Sequence, residues 1–249
     1  MSKEFTFIDR FLAFGVHLFT ASGVMAAILA MIAIADSIAE GPDKLREAMI
    51  WLFIAFVIDG IDGTFARYFK TSEVLPNWDG KAIDYVIDFS TYAIIPAFFM
   101  YYAGIFPPDL NLVATFLILL ISALYYGKDG MVSNDLYFVG FPVLWNAVAF
   151  YLYFVTDFTQ MTNFVFMLIF CVLHFIPIKY PYPSRKNKMR VPTLLLSLGF
   201  FIINGFILYF FPQKIEWMSW ISLAIIVAFS VISLYVSFSF QKSLKEGNS

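Results

Sequence analysis

The sequence predicts an all-α integral membrane protein, a polytopic bundle of about eight transmembrane helices with both termini in the cytoplasm. Composition is the first reason: 61% of the residues are hydrophobic and 14% are charged, whereas soluble domains are about 45–50% apolar. The second reason is that the apolar residues form stretches of about 20, which is the length that a helix needs to cross a bilayer. The third is that no useful length of the chain alternates apolar and polar residues as a strand would.

Eight stretches meet the length requirement, and the short gaps between them leave no room for a soluble domain. We therefore expect a single transmembrane domain over residues 1–249. The first stretch is too long for the apolar region of a signal peptide and lacks a clear cleavage site, so it is predicted to be retained as a span. The predicted spans are residues 11–35, 49–67, 81–105, 110–127, 136–156, 160–178, 191–212 and 216–240.

The distribution of basic residues predicts the orientation of these spans. With the N-terminus inside, 13 Lys and Arg residues fall on the cytoplasmic side and 3 on the other, as the positive-inside rule requires. The formal net charge of −2 argues against nucleic acid as a partner. The cytoplasmic residues are Lys3, Arg10, Arg67, Lys70, Lys81, Lys128, Lys179, Arg185, Lys186, Lys188, Arg190, Lys242 and Lys245, and the others are Lys44, Arg46 and Lys214.

Four carboxylates stand inside the predicted second and third spans: Asp59, Asp62, Asp84 and Asp88. The other 14 of the 18 acidic residues fall in loops, tails or span ends. A carboxylate in hydrocarbon costs at least roughly 2.5 kcal/mol, so a cluster of four requires compensating cations. Residues three or four apart share a helix face, which predicts that two antiparallel spans close all four carboxylates around one point.

This donor set predicts a site for two hard cations, Mn²⁺ or Mg²⁺, because both ions prefer oxygen ligands. Two such ions about 3.5–4 Å apart suit an in-line phosphoryl displacement. Small residues beside the acids would let a ligand or another helix approach closely. The alternatives to a metal site are a polar contact between helices and a cation path through a transporter.

The residues around these acids resemble the CDP-alcohol phosphotransferase family. Asp59-x-x-Asp62-Gly63-x-x-Ala66-Arg67 and Gly80-x-x-x-Asp84-x-x-x-Asp88 fill all eight fixed positions of its signature. The twelve-residue spacer, residues 68–79, is longer than in most of the family and is similar to that of the bacterial phosphatidylcholine synthase branch. Residues 17–23 and 141–146, and the count of eight spans, also resemble that branch.

The resemblance implies an enzyme of the bacterial inner (cytoplasmic) membrane, with its active site facing the cytoplasm. It would transfer the phosphatidyl group of CDP-diacylglycerol to choline and release CMP. Asp59, Asp62 and Asp84 would hold one metal, and Asp59, Asp84 and Asp88 the second, with Asp88 also the general base. The implied nucleotide-binding residues are Gly63, Ala66, Arg67, Gly80 and Thr20. Serine, inositol phosphate or glycerol phosphate remain alternative acceptors, and a homodimer remains possible.

Choline is a permanent cation without N–H donors, so its recognition relies on aromatic faces. Trp145 is the first candidate, because a continuous helix over residues 136–156 would place it about 14 Å inside the fifth span. Tyr85 and Tyr151 are further candidates. His17, one turn from Thr20, is interpreted either as a contact to phosphate or acceptor or as a core histidine. The basic loop 179–190 either attracts anionic lipid headgroups or only sets topology.

Overall fold

The computed structural model describes residues 5–183 and 188–246, with side chains through residue 239, as two compact units, Met1–Tyr102 and Ala103–Ser249. Lys3, Arg185 and Lys186 of the orientation count, and with them part of the basic loop, lie outside the described residues. The side chains of Lys242 and Lys245 are also not described. The prediction of one domain therefore stays a prediction, and each unit is described by itself.

The described residues of the first unit, from residue 5 onward, form six α-helices and one π-helical turn. A capping box starts α1, in which the Thr6 side chain accepts from the Asp9 N–H and the Asp9 carboxylate accepts from the Thr6 N–H. Gly41, at φ 93°, turns the chain directly from α2 into α3, which Pro42 begins. The elements are α1 Phe7–Ala21, α2 Gly23–Glu40, α3 Pro42–Tyr68, α4 Thr71–Val74, α5 Gly80–Asp88, the π-helical turn Phe89–Ile94 and α6 Ile95–Tyr102.

In the second unit, residues 103–183 and 188–246 form five α-helices, a π-helical turn and a small antiparallel sheet. The two strands pair with Phe138 opposite Tyr180. The elements are α7 Pro108–Tyr126, β1 Tyr137–Val139, α8 Trp145–Phe150, the π-helical turn Tyr151–Val155, α9 Gln160–Leu173, β2 Lys179–Pro181, α10 Arg190–Phe210 and α11 Glu216–Glu246.

The helical content confirms the all-α membrane class. Among the described residues, six segments are long and apolar enough to cross a membrane, and two shorter apolar helices, Trp145–Val155 and Gln160–Leu173, fall within the other two predicted spans. The count of eight spans and the orientation remain predictions. The six long segments are Phe7–Glu40, Pro42–Tyr68, Gly80–Tyr102, Pro108–Tyr126, Arg190–Phe210 and Glu216–Ser239.

One sequence prediction is wrong in detail, because residues 136–156 do not form a continuous helix. Residues Tyr137–Val139 are a strand, and α8 begins only at Trp145. Aromatic and β-branched residues favour the extended backbone here. Gly140, at φ 91°, and Pro142 then keep the chain from becoming helical before Trp145. The 14 Å depth assigned to Trp145 therefore has no structural basis.

Candidate active site

The structure brings three of the four predicted metal ligands together. Asp59 lies on α3, and Asp84 and Asp88 lie one turn apart on α5. Each offers one carboxylate oxygen, and these oxygens all lie within 4.8 Å of one another. The i,i+4 spacing in α5 sets the two side chains on one face, and the packing of the first unit places the third opposite them.

Asp62, the fourth predicted ligand, is buried on α3 and stands outside this group of three. The Thr20 hydroxyl of α1, which donates to the Val16 carbonyl at 3.3 Å, lies close to its carboxylate, and the Arg67 guanidinium interacts with that carboxylate electrostatically. Arg67 also donates from Nη2 to the Thr64 hydroxyl at 3.0 Å. Thr20 and Arg67, both predicted at the nucleotide end, thus lie beside an acid of the motif.

Tyr92 is a site residue that the sequence reasoning missed. Its buried hydroxyl donates to Asp59 Oδ2 at 2.6 Å. It lies in the π-helical turn that follows Asp88, just before Pro96, whose ring disfavours an ordinary α-helical turn at this point. The sequence contains an indication of this role, because Tyr92 follows Asp84 and Asp88 at the same spacing of four residues, which places all three on one helix face.

The three carboxylates fit a hard divalent cation. Asp88 Oδ1 is buried and has no hydrogen-bond partner among the described residues, although buried polar atoms normally have one. Three like charges this close repel strongly unless a cation neutralises them. An all-oxygen donor set suits Mg²⁺ or Mn²⁺ better than zinc or copper. The group Asp59, Asp84 and Asp88 could therefore hold a divalent ion.

The glycines of the motif face different surroundings. A Cβ on Gly63 would lie 3.3 Å from Arg67 Nη1, and one on Gly80 would lie 3.1 Å from Cε1 of His17. A Cβ on Gly60 would meet nothing within 4 Å. Ala66 is partly buried on the last turns of α3. Contact of Gly63, Ala66 and Gly80 with a nucleotide stays a prediction.

His17 is buried on α1, and its Nε2 has no hydrogen-bond partner among the described residues. Its ring stacks on Trp78, with centroids 6.2 Å apart and planes 23° apart. The structure thus places His17 against the spacer residue Trp78 and the motif residue Gly80.

The three candidate choline residues lie in different settings. Tyr85, next to Asp84 on α5, keeps 42% of its surface exposed. Trp145 is fully buried inside the second unit, where its indole N–H donates to the Ser122 hydroxyl at 2.8 Å. The Tyr151 hydroxyl, in the same unit, bonds to the Ser222 hydroxyl at 2.7 Å. Choline contact by any of the three stays a prediction.

Comparison with known proteins gives consistent relatives. No protein-family model matches the chain. The phosphatidylcholine synthase of Agrobacterium fabrum is 34% identical over 224 residues, covering 90% of this chain and 87% of that protein. The phosphatidylcholine synthase of Pseudomonas aeruginosa is 36% identical, with 84% of each chain covered, and that of Borreliella burgdorferi is 35% identical, covering 80% of this chain and 83% of its own. At this identity over most of both chains, the protein belongs to the phosphatidylcholine synthase family.

Proposed function

We propose that this chain transfers the phosphatidyl group of CDP-diacylglycerol to choline, giving phosphatidylcholine and CMP. The observation that carries the proposal is the convergence of Asp59, Asp84 and Asp88 in a chain whose relatives are named phosphatidylcholine synthase. The filled CDP-alcohol phosphotransferase signature supports the same chemistry. We place the enzyme in the bacterial inner membrane with its site open to the cytoplasm, where the water-soluble acceptor is available.

The reaction needs a base and a neutralised pyrophosphate. A pair of divalent ions, held by Asp59, Asp62, Asp84 and Asp88, would supply positive charge against the pyrophosphate and the departing CMP. Asp88 takes the proton of the choline hydroxyl. The choline oxygen forms a bond to the phosphorus that carries the diacylglycerol. The bond from that phosphorus to the oxygen shared with CMP breaks, and CMP leaves with the electron pair.

The remaining residues hold this arrangement in place. Tyr92 donates to one oxygen of Asp59, which fixes the carboxylate and leaves its other oxygen for the site. Thr20 and Arg67 interact with Asp62, and they lie where we expect the nucleotide end of the substrate. Such partners of ligating carboxylates hold the ligands in the orientation that binding needs.

Choline as the acceptor rests on the names of the relatives and on the charge of the site. Serine, inositol phosphate and glycerol phosphate are the alternatives, and a phosphorylated acceptor would need additional cationic side chains near the acids. Tyr85 is the aromatic candidate in the same unit as Asp59, Asp84 and Asp88, and we propose it as the first contact for the ammonium group.

An acceptor screen with purified protein, CDP-diacylglycerol and Mn²⁺ or Mg²⁺ tests the proposal. Choline should give the fastest CMP release and yield phosphatidylcholine, and Asp88→Asn should be inactive with every acceptor. Faster turnover with serine or glycerol phosphate would replace the acceptor but keep the chemistry. Absence of CMP release with all acceptors and both metals would overturn the enzyme proposal and favour a cation transporter.

A further inference from the structure

One face of the first two helices contacts both helices that carry the site acids. His17, Thr20 and Gly23 follow one another at intervals of three residues, a spacing that keeps neighbouring side chains adjacent on a helix surface. We call these three residues the α1–α2 contact face. Each of them meets a different part of the acidic motif.

The first contact of this face, made by His17, is to the start of α5. Gly80 is the first residue of α5, and the Asp79 carboxylate caps the helix by accepting from Lys81 N–H at 3.0 Å and Ala82 N–H at 3.2 Å. The His17 ring lies where a Cβ on Gly80 would come within 3.1 Å of Cε1. Trp78 stacks on the same ring. His17 is thus enclosed between the spacer and the first residue of α5.

The contact of Gly23 with α5 is closer than that of His17 with Gly80. A Cβ on Gly23 would lie 2.7 Å from Cγ2 of Ile87, a distance that side chains do not adopt without movement. Ile87 is buried and lies between Asp84 and Asp88 in the sequence of α5. A side chain at position 23 would therefore require Ile87 or one of the two helices to move.

The middle contact reaches the other acid-bearing helix. The buried Thr20 of α1 lies close to the carboxylate of Asp62 on α3, while its hydroxyl donates to the Val16 carbonyl of its own helix. The same face therefore contacts α3 between its two contacts to α5. Because Asp59 and Asp62 lie on α3 and Asp84 and Asp88 on α5, this face contacts the two halves of the motif.

We propose that His17, Thr20 and Gly23 are positioning residues that set the separation of the two acid-bearing helices, with the Gly23–Ile87 contact as the main determinant. The inference rests on the proposed function for its effect on turnover. A shift of the α5 backbone moves Asp84 and Asp88 relative to Asp59. Misplacement by about 1 Å can reduce a rate by about 10²-fold.

The test is a double-mutant cycle on Gly23 and Ile87. Gly23→Ala should lower kcat by about 10-fold to 100-fold, with both KM values nearly unchanged, because the acids move while the substrate pockets stay. Gly23→Ala combined with Ile87→Ala, which removes the clashing Cγ2, should recover much of that kcat. Gly15→Ala is the matched control, since a Cβ there would meet nothing within 4 Å, and its kcat should be unchanged.

A second pair covers the case in which Gly23→Ala does not fold. Gly80→Ala makes a less severe contact with His17, and His17→Ala should relieve it in the double variant. Equal loss in Gly23→Ala and Gly15→Ala, or double variants no better than the glycine variants alone, would overturn the inference. A loss of folded protein with normal kcat per folded molecule would also overturn it, since that is the signature of packing without positioning.

Mn²⁺ affinity, measured by titration with electron paramagnetic resonance, gives a readout without turnover. Gly23→Ala should weaken binding and the double variant should restore it. A wild type that binds Mn²⁺ but transfers nothing to choline would overturn the proposed function, and the cycle would still decide this inference through affinity. A wild type that binds no Mn²⁺ would overturn the inference as well.

Discussion

The two compact units bury charge in different ways. In Met1–Tyr102, three carboxylates of like charge approach within 4.8 Å, and Asp88 Oδ1 has no hydrogen-bond partner among the described residues. In Ala103–Ser249, the buried Lys179 ammonium donates to both carboxylate oxygens of Asp135, at 2.8 and 2.7 Å. The second arrangement is neutralised within the chain, whereas the first could hold a divalent cation.

Some buried neutral groups of the second unit also bond to one another, although Asn163 Oδ1, His174 Nε2 and Asn204 Nδ2 have no hydrogen-bond partner among the described residues. Tyr151 bonds to the Ser222 hydroxyl, and Ser222 donates to Asn204 Oδ1 at 2.6 Å. The Trp145 indole bonds to Ser122. Polar groups that are paired within the protein stabilise a fold, whereas partly buried carboxylates that cluster together favour a bound cation. We therefore propose that the chemistry takes place in the first unit and that these pairs of the second unit have a structural role.

Removal of metal should have the largest effect, because a bound cation would offset the repulsion among the carboxylates of Asp59, Asp84 and Asp88. EDTA should abolish CMP release from CDP-diacylglycerol, and excess Mn²⁺ or Mg²⁺ should restore it. Full turnover in chelator, with no metal found by elemental analysis, would show that the three carboxylates of the first unit need no metal.

Loss of one carboxylate should have the next largest effect. Asp84→Asn and Asp88→Asn should each lower kcat by at least about 10²-fold, while the protein still folds, because Asn keeps the shape and removes the charge. Asp79→Asn is the matched control on the same helix, since Asn caps a helix about as well as Asp. Near-normal turnover of either variant would exclude that residue from the mechanism.

Tyr92→Phe should have a moderate effect on the same site. The ring stays but the hydrogen bond to Asp59 is lost, and removing such a partner of a metal ligand typically costs about 10-fold to 100-fold in metal affinity or activity. The Mn²⁺ concentration for half-maximal CMP release should rise. Tyr102→Phe, which removes a hydroxyl elsewhere in the unit, should leave this concentration unchanged, and an equal shift in both variants would contradict the assignment.

The aromatic residues proposed to contact choline lie in both units, so their variants compare the two units directly. Tyr85→Ala should raise the choline KM by about 2-fold to 5-fold, because a cation–π contact at an exposed site is worth about 0.5–1 kcal/mol, and the CDP-diacylglycerol KM should not change. Choline contact by Trp145 would raise the choline KM of Trp145→Ala by up to about 30-fold. Equal changes in both KM values, with a lower unfolding temperature, would identify Trp145 as a packing residue.

The smallest effect is expected at the ion pair of the second unit. Partial burial acts to raise the pKa of Asp135, but hydrogen bonds and the charge of Lys179 outweigh it and hold the pKa below the ordinary value of 3.8. Because the folded-state pKa is lowered, the pair stabilises the protein above about pH 4, and this stabilisation is lost as the pH falls through the folded-state pKa. Asp135→Asn should lower the unfolding temperature slightly at pH 7 and leave kcat unchanged; a loss of kcat would give this pair a role in the reaction.

The sequence by itself determined the membrane class, the approximate positions of the six long spans and the acidic motif. These properties are local, since the length of an apolar stretch decides whether it can cross a bilayer and a spacing of three or four places Asp59 with Asp62 and Asp84 with Asp88 on shared helix faces. The resemblance to the phosphatidylcholine synthase branch then indicated the family to which the relatives show that the chain belongs.

Only the tertiary structure decided which groups meet across the chain. The bond from Tyr92 to Asp59 joins residues 33 positions apart, and the close approach of Gly23 to Ile87 depends on how two helices pack. The pairing of β1 with β2 likewise occupies the start of the predicted fifth helix, so that α8 begins only at Trp145. Local periodicity does not contain these contacts, because each is fixed by the steric fit and hydrogen bonding of segments that are distant in sequence.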